Sequence, residues 1–262
     1  SEQDLTLLAA LGVLEKLNGY MDRKDQAAFY PVAFESGVYQ GQTYALPYES
    51  NPILMCVNKD LLDKEGIAVP KEGWTLEEFY TICKKLTTDT NGDGQLDQFG
   101  STEYTWKEAL AANGGHLFQG GMLKLTAPEV KESLTFLQKL EDLNKNYKVS
   151  SKDFDQVKVA FYPMSLAQYR TYKPYPYHVS KYSNFTWTCI PMPAKSKTTK
   201  ATLVTTTSFA MSARSSHSKL SWELMQLLTE DPEIQQTLFA QSQGISVMPQ
   251  VVKSRSSKDL LQ

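Results

Sequence analysis

Two stretches of the 262-residue chain hold residues whose types and spacing could do chemistry. In "DTNGDGQLD", Asp89, Asn91, Asp93, the Gln95 carbonyl and Asp97 occupy positions one, three, five, seven and nine of a calcium-loop pattern, with Gly94 at the sixth. The twelfth position, where a bidentate glutamate would complete the set, is Gly100, so the pattern is one strong ligand short. An Asx/Gly turn is the competing reading, and any calcium there would be weak and structural. In "YALPYESNPILMCVNKDLL", Glu49 stands between Tyr48 and Asn51, and Pro47 and Pro52 bracket them. A carboxylate in that place can accept two hydroxyl donors; a solvated loop carboxylate is the plainer alternative.

The elements that must position these residues belong to an ordinary globular composition, 41% hydrophobic and 21% charged. The net charge of -2 gives no polybasic surface for nucleic acid or acidic membrane. No apolar run approaches the roughly 18 residues of a membrane helix. Ser1 opens directly in helix-like sequence, which reads as a mature or trimmed chain. Cys56, Cys83 and Cys189 are far apart and form no CxxC pair. They are expected to be buried small hydrophobes rather than a zinc ribbon or a disulfide framework. His116, His178 and His217 are scattered, and no GxSxG, HExxH, P-loop or GxGxxG occurs.

Helix and strand patterns interleave, which makes the class α/β. Thr75 with Glu78 has capping-box spacing before Leu76, Phe79, Ile82, Cys83 and Leu86. A second box, Thr126 with Glu129, is expected to open a helix with Val130, Leu134, Leu137 and Leu140 as its stripe. Leu220, Leu224, Leu227 and Leu228 mark another helix, and Asp231-Pro232 starts a short one. "VKVAFY", "FTWTCIPM" and the threonine-rich "ATLVTTTSFAMS" read as strands. Between "TYAL" and "ILMCV" the two prolines read as a strand interruption with no room for a crossover helix. Such an interruption suits a chain leaving one body for another, with Tyr48 to Asn51 on the floor of a cleft; a tight surface turn is the alternative. "AKSKTTKAT" (194–202) is the best second linker.

"YQGQTYALPYESNPILMCVNKDLLDKEGIAVPKEGWTLEEF", "DTNGDGQLDQFG", "AANGGHLF", "VKVAFYPMSLAQYR" and "SHSKLSWELMQLLTEDPEIQQTLFAQSQGISVMP" occur in an order that resembles extracellular solute-binding proteins of ABC importers, in the maltose-binding-protein-like branch. The resemblance implies a two-lobe periplasmic-binding-protein-like fold of type II that closes by a hinge on a small ligand. It implies a first lobe of residues 1–48 and 203–248, a second of 49–202 and 249–262, and crossings near 48–51, 198–202 and 246–250. The family's first βαβ units would precede Ser1, and its last helices would follow Gln262. Val157 stands where the family has glycine, Val57 where it has an aromatic, and "TTTS" where it has a glycine pair.

A sugar site needs flat rings against C–H faces and planar polar groups for hydroxyls, and the chain has 14 Tyr, 11 Phe and 4 Trp. The resemblance places Glu103, Tyr104 and Trp106 at a ligand-stacking segment, although Trp106 could equally anchor a lobe core. It places Ser165, Gln168, Tyr169 and Arg170 on a cleft wall. Tyr48, Glu49 and Asn51, with Thr206, Thr207 and Ser208 of the first lobe, would complete the set. The implied activity is non-catalytic binding of a carbohydrate, an oligosaccharide, for delivery to an ABC permease. The protein would be monomeric, with no cofactor beyond the candidate calcium. It would act at the cell surface or in the periplasm, touching membrane only through a lipid anchor or the permease. The rival readings are a carbohydrate-active enzyme using Glu49 and Glu103, a sensor module, and a binder of polyamine or of iron through tyrosines such as Tyr169 and Tyr172.

Overall fold

A computed structural model describes residues 2–115, 118–119, 122–172, 185–199, 202–241 and 244–254. In chain order, helices α1 (Glu2–Ala10), α2 (Arg23–Ala27) and α3 (Pro31–Glu35) precede strands β1 (Val38–Tyr39), β2 (Gln42–Thr43) and the long β3 (Ala45–Asn58). Then come α4 (Lys59–Lys64), α5 (Leu76–Leu86), β4 (Phe99–Ser101), α6 (Trp106–Ala112), β5 (Phe118–Gln119), β6 (Met122–Leu123) and α7 (Pro128–Glu141). These are followed by α8 (Ser151–Asp155), β7 (Val159–Ser165), α9 (Leu166–Tyr172), β8 (Trp187–Ile190) and β9 (Val204–Ala210). Helices α10 (Ser218–Glu230) and α11 (Pro232–Gln241), strand β10 (Ile245–Ser246) and helix α12 (Pro249–Val252) are the last elements among the described residues.

β3 is one strand, not two. Pro47 lies opposite Ser208 beside a bulge between Pro47 and Glu49, and Pro52 lies opposite Val204. A bulge leaves a residue outside the ladder, so the strand tolerates a missing N–H there. What changes along β3 is its partners. Up to Pro52 it pairs with β9 on one edge and β10 on the other. From Ile53 onward it pairs with β7 and β8, and β7 continues to β4 as a parallel neighbour.

The chain accordingly forms two compact units, Ile53–Leu203 and Ser1–Pro52 with Val204–Gln262. The passages fall at Pro52–Ile53 and Leu203–Val204, just after the expected 48–51 and 198–202. The third expected crossing, at 246–250, does not occur. Val247, Met248 and Val251 are buried in the core of the Ser1–Pro52/Val204–Gln262 unit, so α12 belongs there and not to the other unit.

In the Ile53–Leu203 unit, Phe79 is fully buried, with Trp74 and Phe161 each 5.5 Å from its ring. β7 is buried from Val159 to Met164, as a strand covered on both faces must be. Thr75 and Glu78 form the expected capping box, and the Thr75 bonds hold the Glu78 carboxyl below its usual value. Thr126 does not cap α7: Ala127 is the N-cap and Pro128 sets the first turn. Val130 and Leu140 of the expected stripe are buried and Leu137 packs against the core, while Leu134 is exposed and Ser133 faces inward, bonding the Ala109 carbonyl of α6.

Cys56 and Cys189 are directly opposed partners of β3 and β8, with Cα atoms 4.2 Å apart, and they form a disulfide. This corrects the expectation of three unpaired thiols. Only Cys83 is free, and burial pushes its thiol up.

The other unit gathers Leu17, Phe29, Phe34, Leu46, Trp222, Met225 and Phe239. Here α10 turns Trp222, Met225 and Thr229 inward and leaves Leu220, Leu224 and Leu227 exposed. Three of the four leucines that mark this helix thus lie on its outer side, and Trp222 and Met225 beside them are the buried residues.

Candidate ligand-binding site

The Ile53–Leu203 unit contains a hollow of about 850 Å³, within the usual range for small-molecule sites. One wall is the segment from Ser101 to Trp106 that joins β4 to α6. Thr105 caps α6 through its hydroxyl and accepts from Lys107 N, while Glu108 returns to bond Thr105 N, so the start of the helix is fixed. That fixes Trp106 at the first helical position, 37% exposed and lining the hollow. Tyr104, two residues earlier, is only 6% exposed and packs against Phe79 and Phe136. It is a core residue rather than the exposed stacking ring expected. Its hydroxyl and that of Thr102 are buried and meet no partner among the described residues. Burial, with the nearby Glu108 and Cys83, pushes the Tyr104 phenol up.

The opposite wall is one that the sequence did not single out: Leu137 and Leu140 of α7, then Glu141, Asp142 and the loop from Asn144 to Val149. Tyr147 is 41% exposed there, its ring 5.8 Å from Phe99. Lys145 and Asn146 have left-handed φ of 48° and 71°, and Glu103 on the facing wall has 52°. Three of the five non-glycine residues with positive φ among the described residues thus line this hollow, which is where stored backbone strain tends to gather. The "NKN" run was the available sequence signal, since Asn tolerates this conformation.

Glu103 does not extend freely into the hollow. Its Oε1 accepts from Ser151 N at the start of α8, at 3.0 Å. Ser165 and Gln168 form their own cap at the start of α9: Ser165 N donates to Gln168 Oε1 (2.8 Å) and Gln168 N to Ser165 Oγ (3.2 Å). Gln168 Nε2 then donates to the Tyr162 hydroxyl at 3.2 Å. Tyr169 packs edge-on against Trp187 at 5.5 Å, and Arg170 is half-buried. The tyrosine-rich run at 173–184, and the side chain of Tyr172, lie outside the described residues.

The remaining candidates cluster in the Ser1–Pro52/Val204–Gln262 unit, where β3 pairs with β9 and β10. Glu49 is paired with Thr207 on one edge and with Ser246 on the other. Its side chain runs over Gly244, where a Cβ would overlap the carboxylate. Tyr48 stacks on Phe209 at 4.7 Å, and its carbonyl accepts from the fully buried Gln235. Gln235 also bonds Ser246 and the Leu228 carbonyl, which pins the bulge to α10 and α11. Asn51 accepts from Thr205 through its carbonyl, and Ser50 reaches Thr206 at 3.4 Å; Thr207 is exposed and Ser208 half-buried.

The acidic loop is a turn. Asp89 accepts from Gly92 N and Gly94 N, Asn91 from Asp93 N, Asp93 from Gln95 N, and Asp97 from Thr90 N and Oγ1. The Thr90 bonds hold the Asp97 carboxyl below its usual value. With these oxygens turned to the loop's own donors, no three His, Cys, Asp or Glu side chains among the described residues gather as a metal set. Gly100, where the ligand glutamate would stand, is required by packing instead: a Cβ there would overlap the backbone of Cys83 on α5.

The fold has known counterparts. The sugar-binding protein MalE from Xanthomonas citri superposes with a TM-score of 0.78 at 18% identity, over 98% of this chain and 67% of that one. A cyclo/maltodextrin-binding protein complexed with maltotetraose gives 0.77 at 21% identity, over 98% and 66%. In sequence, a putative binding protein of Brucella abortus is 27% identical over 133 residues, 50% of this chain and 32% of the relative. The chain thus spans about a third of the length of the curated relatives it matches. The family model for bacterial extracellular solute-binding proteins matches residues 1–260. A match over almost every residue leaves one assignment: the chain belongs to the bacterial extracellular solute-binding protein family.

Proposed function

We propose that this protein binds a carbohydrate without transforming it and delivers it to an ABC importer. The observation that carries this reading is the lining of the hollow in the Ile53–Leu203 unit. Exposed Trp106 and Tyr147 offer ring faces to sugar C–H surfaces. Acidic Glu103, Glu141 and Asp142 are interleaved with Lys145 and Lys148, so no single-sign field selects an ion. Solved structures of this fold include complexes with cycloalternan, maltotriose, maltotetraose and mannobiose.

Family membership supports an extracellular setting, and the Cys56–Cys189 bond suits an oxidising one. Within that setting we favour a surface-anchored or periplasmic monomer that docks on a permease. Carbohydrate hydrolysis through Glu49 and Glu103 gains nothing from the geometry, since Glu103 serves as the acceptor for the first turn of α8. A thermal-shift screen with maltotriose, maltotetraose and mannobiose tests the reading. A ligand bound only by the native chain raises its melting temperature. A panel of oligosaccharides that leaves the transition unmoved at millimolar concentration would refute the carbohydrate assignment.

A further inference from the structure

We propose that Gly244 is a positioning residue for the Glu49 carboxylate, and that Glu49 so placed accepts from sugar hydroxyls on the Ser1–Pro52/Val204–Gln262 unit. The proposal rests on the carbohydrate reading above for its ligand, but not for the placement. Glu49 lies on β3 opposite Thr207 of β9 on one edge and Ser246 of β10 on the other. Residues directly opposite share a face of a sheet, and so do residues two apart along a strand. Glu49, Asn51, Thr205 and Thr207 therefore stand on one face. Ser50 and Thr206, whose hydroxyls meet at 3.4 Å, stand on the other. Toward β10 the first face is closed by Gln235 of α11, which bonds the buried Ser246. Toward β9 it is open: Thr205 and Thr207 are exposed, and Glu49 is half-buried.

Gly244 lies two residues before Ser246, so the side chain it lacks would stand on the same face as Glu49. A Cβ there would overlap Glu49 Cγ, Cδ and Oε1, and these are the atoms it would meet first. The φ of Gly244 is outside the left-handed region, so the backbone does not call for glycine. What calls for it is the room that the Glu49 side chain takes up. The glutamate is laid over the start of β10 because no side chain stands there. Among the described residues none hydrogen-bonds or ion-pairs with its carboxylate. A carboxylate accepts only, and its two oxygens can take two hydroxyl donors, the pattern that neighbouring sugar hydroxyls present. The hydroxyls of Thr205 and Thr207 on the same face can both donate and accept. Glycine at 244 therefore decides where the one charged acceptor of this strip sits.

The test uses the full chain and the variants Gly244→Ala, Glu49→Ala and their combination. Both single variants should melt as folded chains, since the added methyl meets a flexible side chain that can move aside. Unfolding of Gly244→Ala that Glu49→Ala does not restore would overturn the placement. With maltotetraose as probe, Glu49→Ala should weaken binding about tenfold, the scale of hydrogen bonds to a charged acceptor. Gly244→Ala should approach that loss, and the double variant should bind no more weakly than Glu49→Ala, because the glycine acts only through the carboxylate. A further loss in the double variant would make Gly244 a merely structural residue and overturn the proposal. Unchanged affinity in Glu49→Ala would overturn the contact and leave the carbohydrate reading standing. A wild-type chain that does not bind maltotetraose would overturn that reading and the contact with it. The placement is read without ligand from the Glu49 carboxyl carbon resonance, assigned by its loss in Glu49→Ala. It should shift in Gly244→Ala, and an unmoved resonance would overturn the placement.

Discussion

In the Ile53–Leu203 unit, rings close on one another around Phe79, and a disulfide joins the two strands that flank this core. In the Ser1–Pro52/Val204–Gln262 unit, α10 buries Trp222 and Met225 but shows Leu220, Leu224 and Leu227 to solvent, and α1 shows Leu7 and Leu8. The first unit is fastened by covalent and aromatic contacts. The second is held by a core drawn from α3, β3, α10, α11 and α12 and by polar junctions such as Gln235 with Tyr48, Leu228 and Ser246. Burial alone does not rank the two; what matters is which groups lose stability when one contact is removed.

Reducing Cys56–Cys189 should separate the units most sharply. The bond spans 133 residues, nearly all of its own unit. Releasing a loop of that length costs roughly 4–5 kcal/mol on the chain-entropy model, and typical losses are about 2–5. Calorimetry with and without reductant should show one transition falling, with faster amide exchange confined to the Ile53–Leu203 unit. Gly100→Ala comes next: its Cβ would meet Cys83 backbone, so overpacking of about 1–3 kcal/mol is expected in a denaturant titration.

The other unit should answer to pH. Glu230 closes α10 with its carboxyl pushed up to about 8 by burial and by Asp25 and Asp22 of the α2 cap. The folded unit keeps a proton that the unfolded chain releases near 4.5. Its stabilising contribution is whole below that value and is lost as pH rises through about 8. The slope is at most about 1.4 kcal/mol per pH unit, and less for this half-exposed group. Glu230→Gln should flatten the melting profile between pH 5 and pH 8, and an unchanged slope would assign it to other groups. Leu224→Gln should be the mildest change, within about 0.5 kcal/mol by denaturant titration, because its side chain is already in water.

Local signals were the legible ones. The Thr75–Glu78 box and the interval after it could be read because three residues suffice to make a cap. The Cys56–Cys189 bond could not, since it depends on the register of two strands 133 residues apart. α10 carries apolar residues on two faces, so periodicity marks the helix but does not say that Trp222 and Met225, and not the leucines, face the core. Pro47 and Pro52 marked the region where β3 changes partners, but the bulge that carries the strand through them depends on β9. At the site, Glu103 and Trp106 were found through their segment, whereas Tyr147 was not, because the loop that carries it offers only the NKN run as a signal.

Calorimetric titration of the full chain with maltotetraose, set against Trp106→Ala and Tyr147→Ala, tests the hollow as the carbohydrate site most directly. Saturable binding by the wild type, weakened about tenfold or more in each variant while both melt as folded chains, is the predicted result. Binding of undiminished affinity in both variants would place the ligand elsewhere and contradict the assignment.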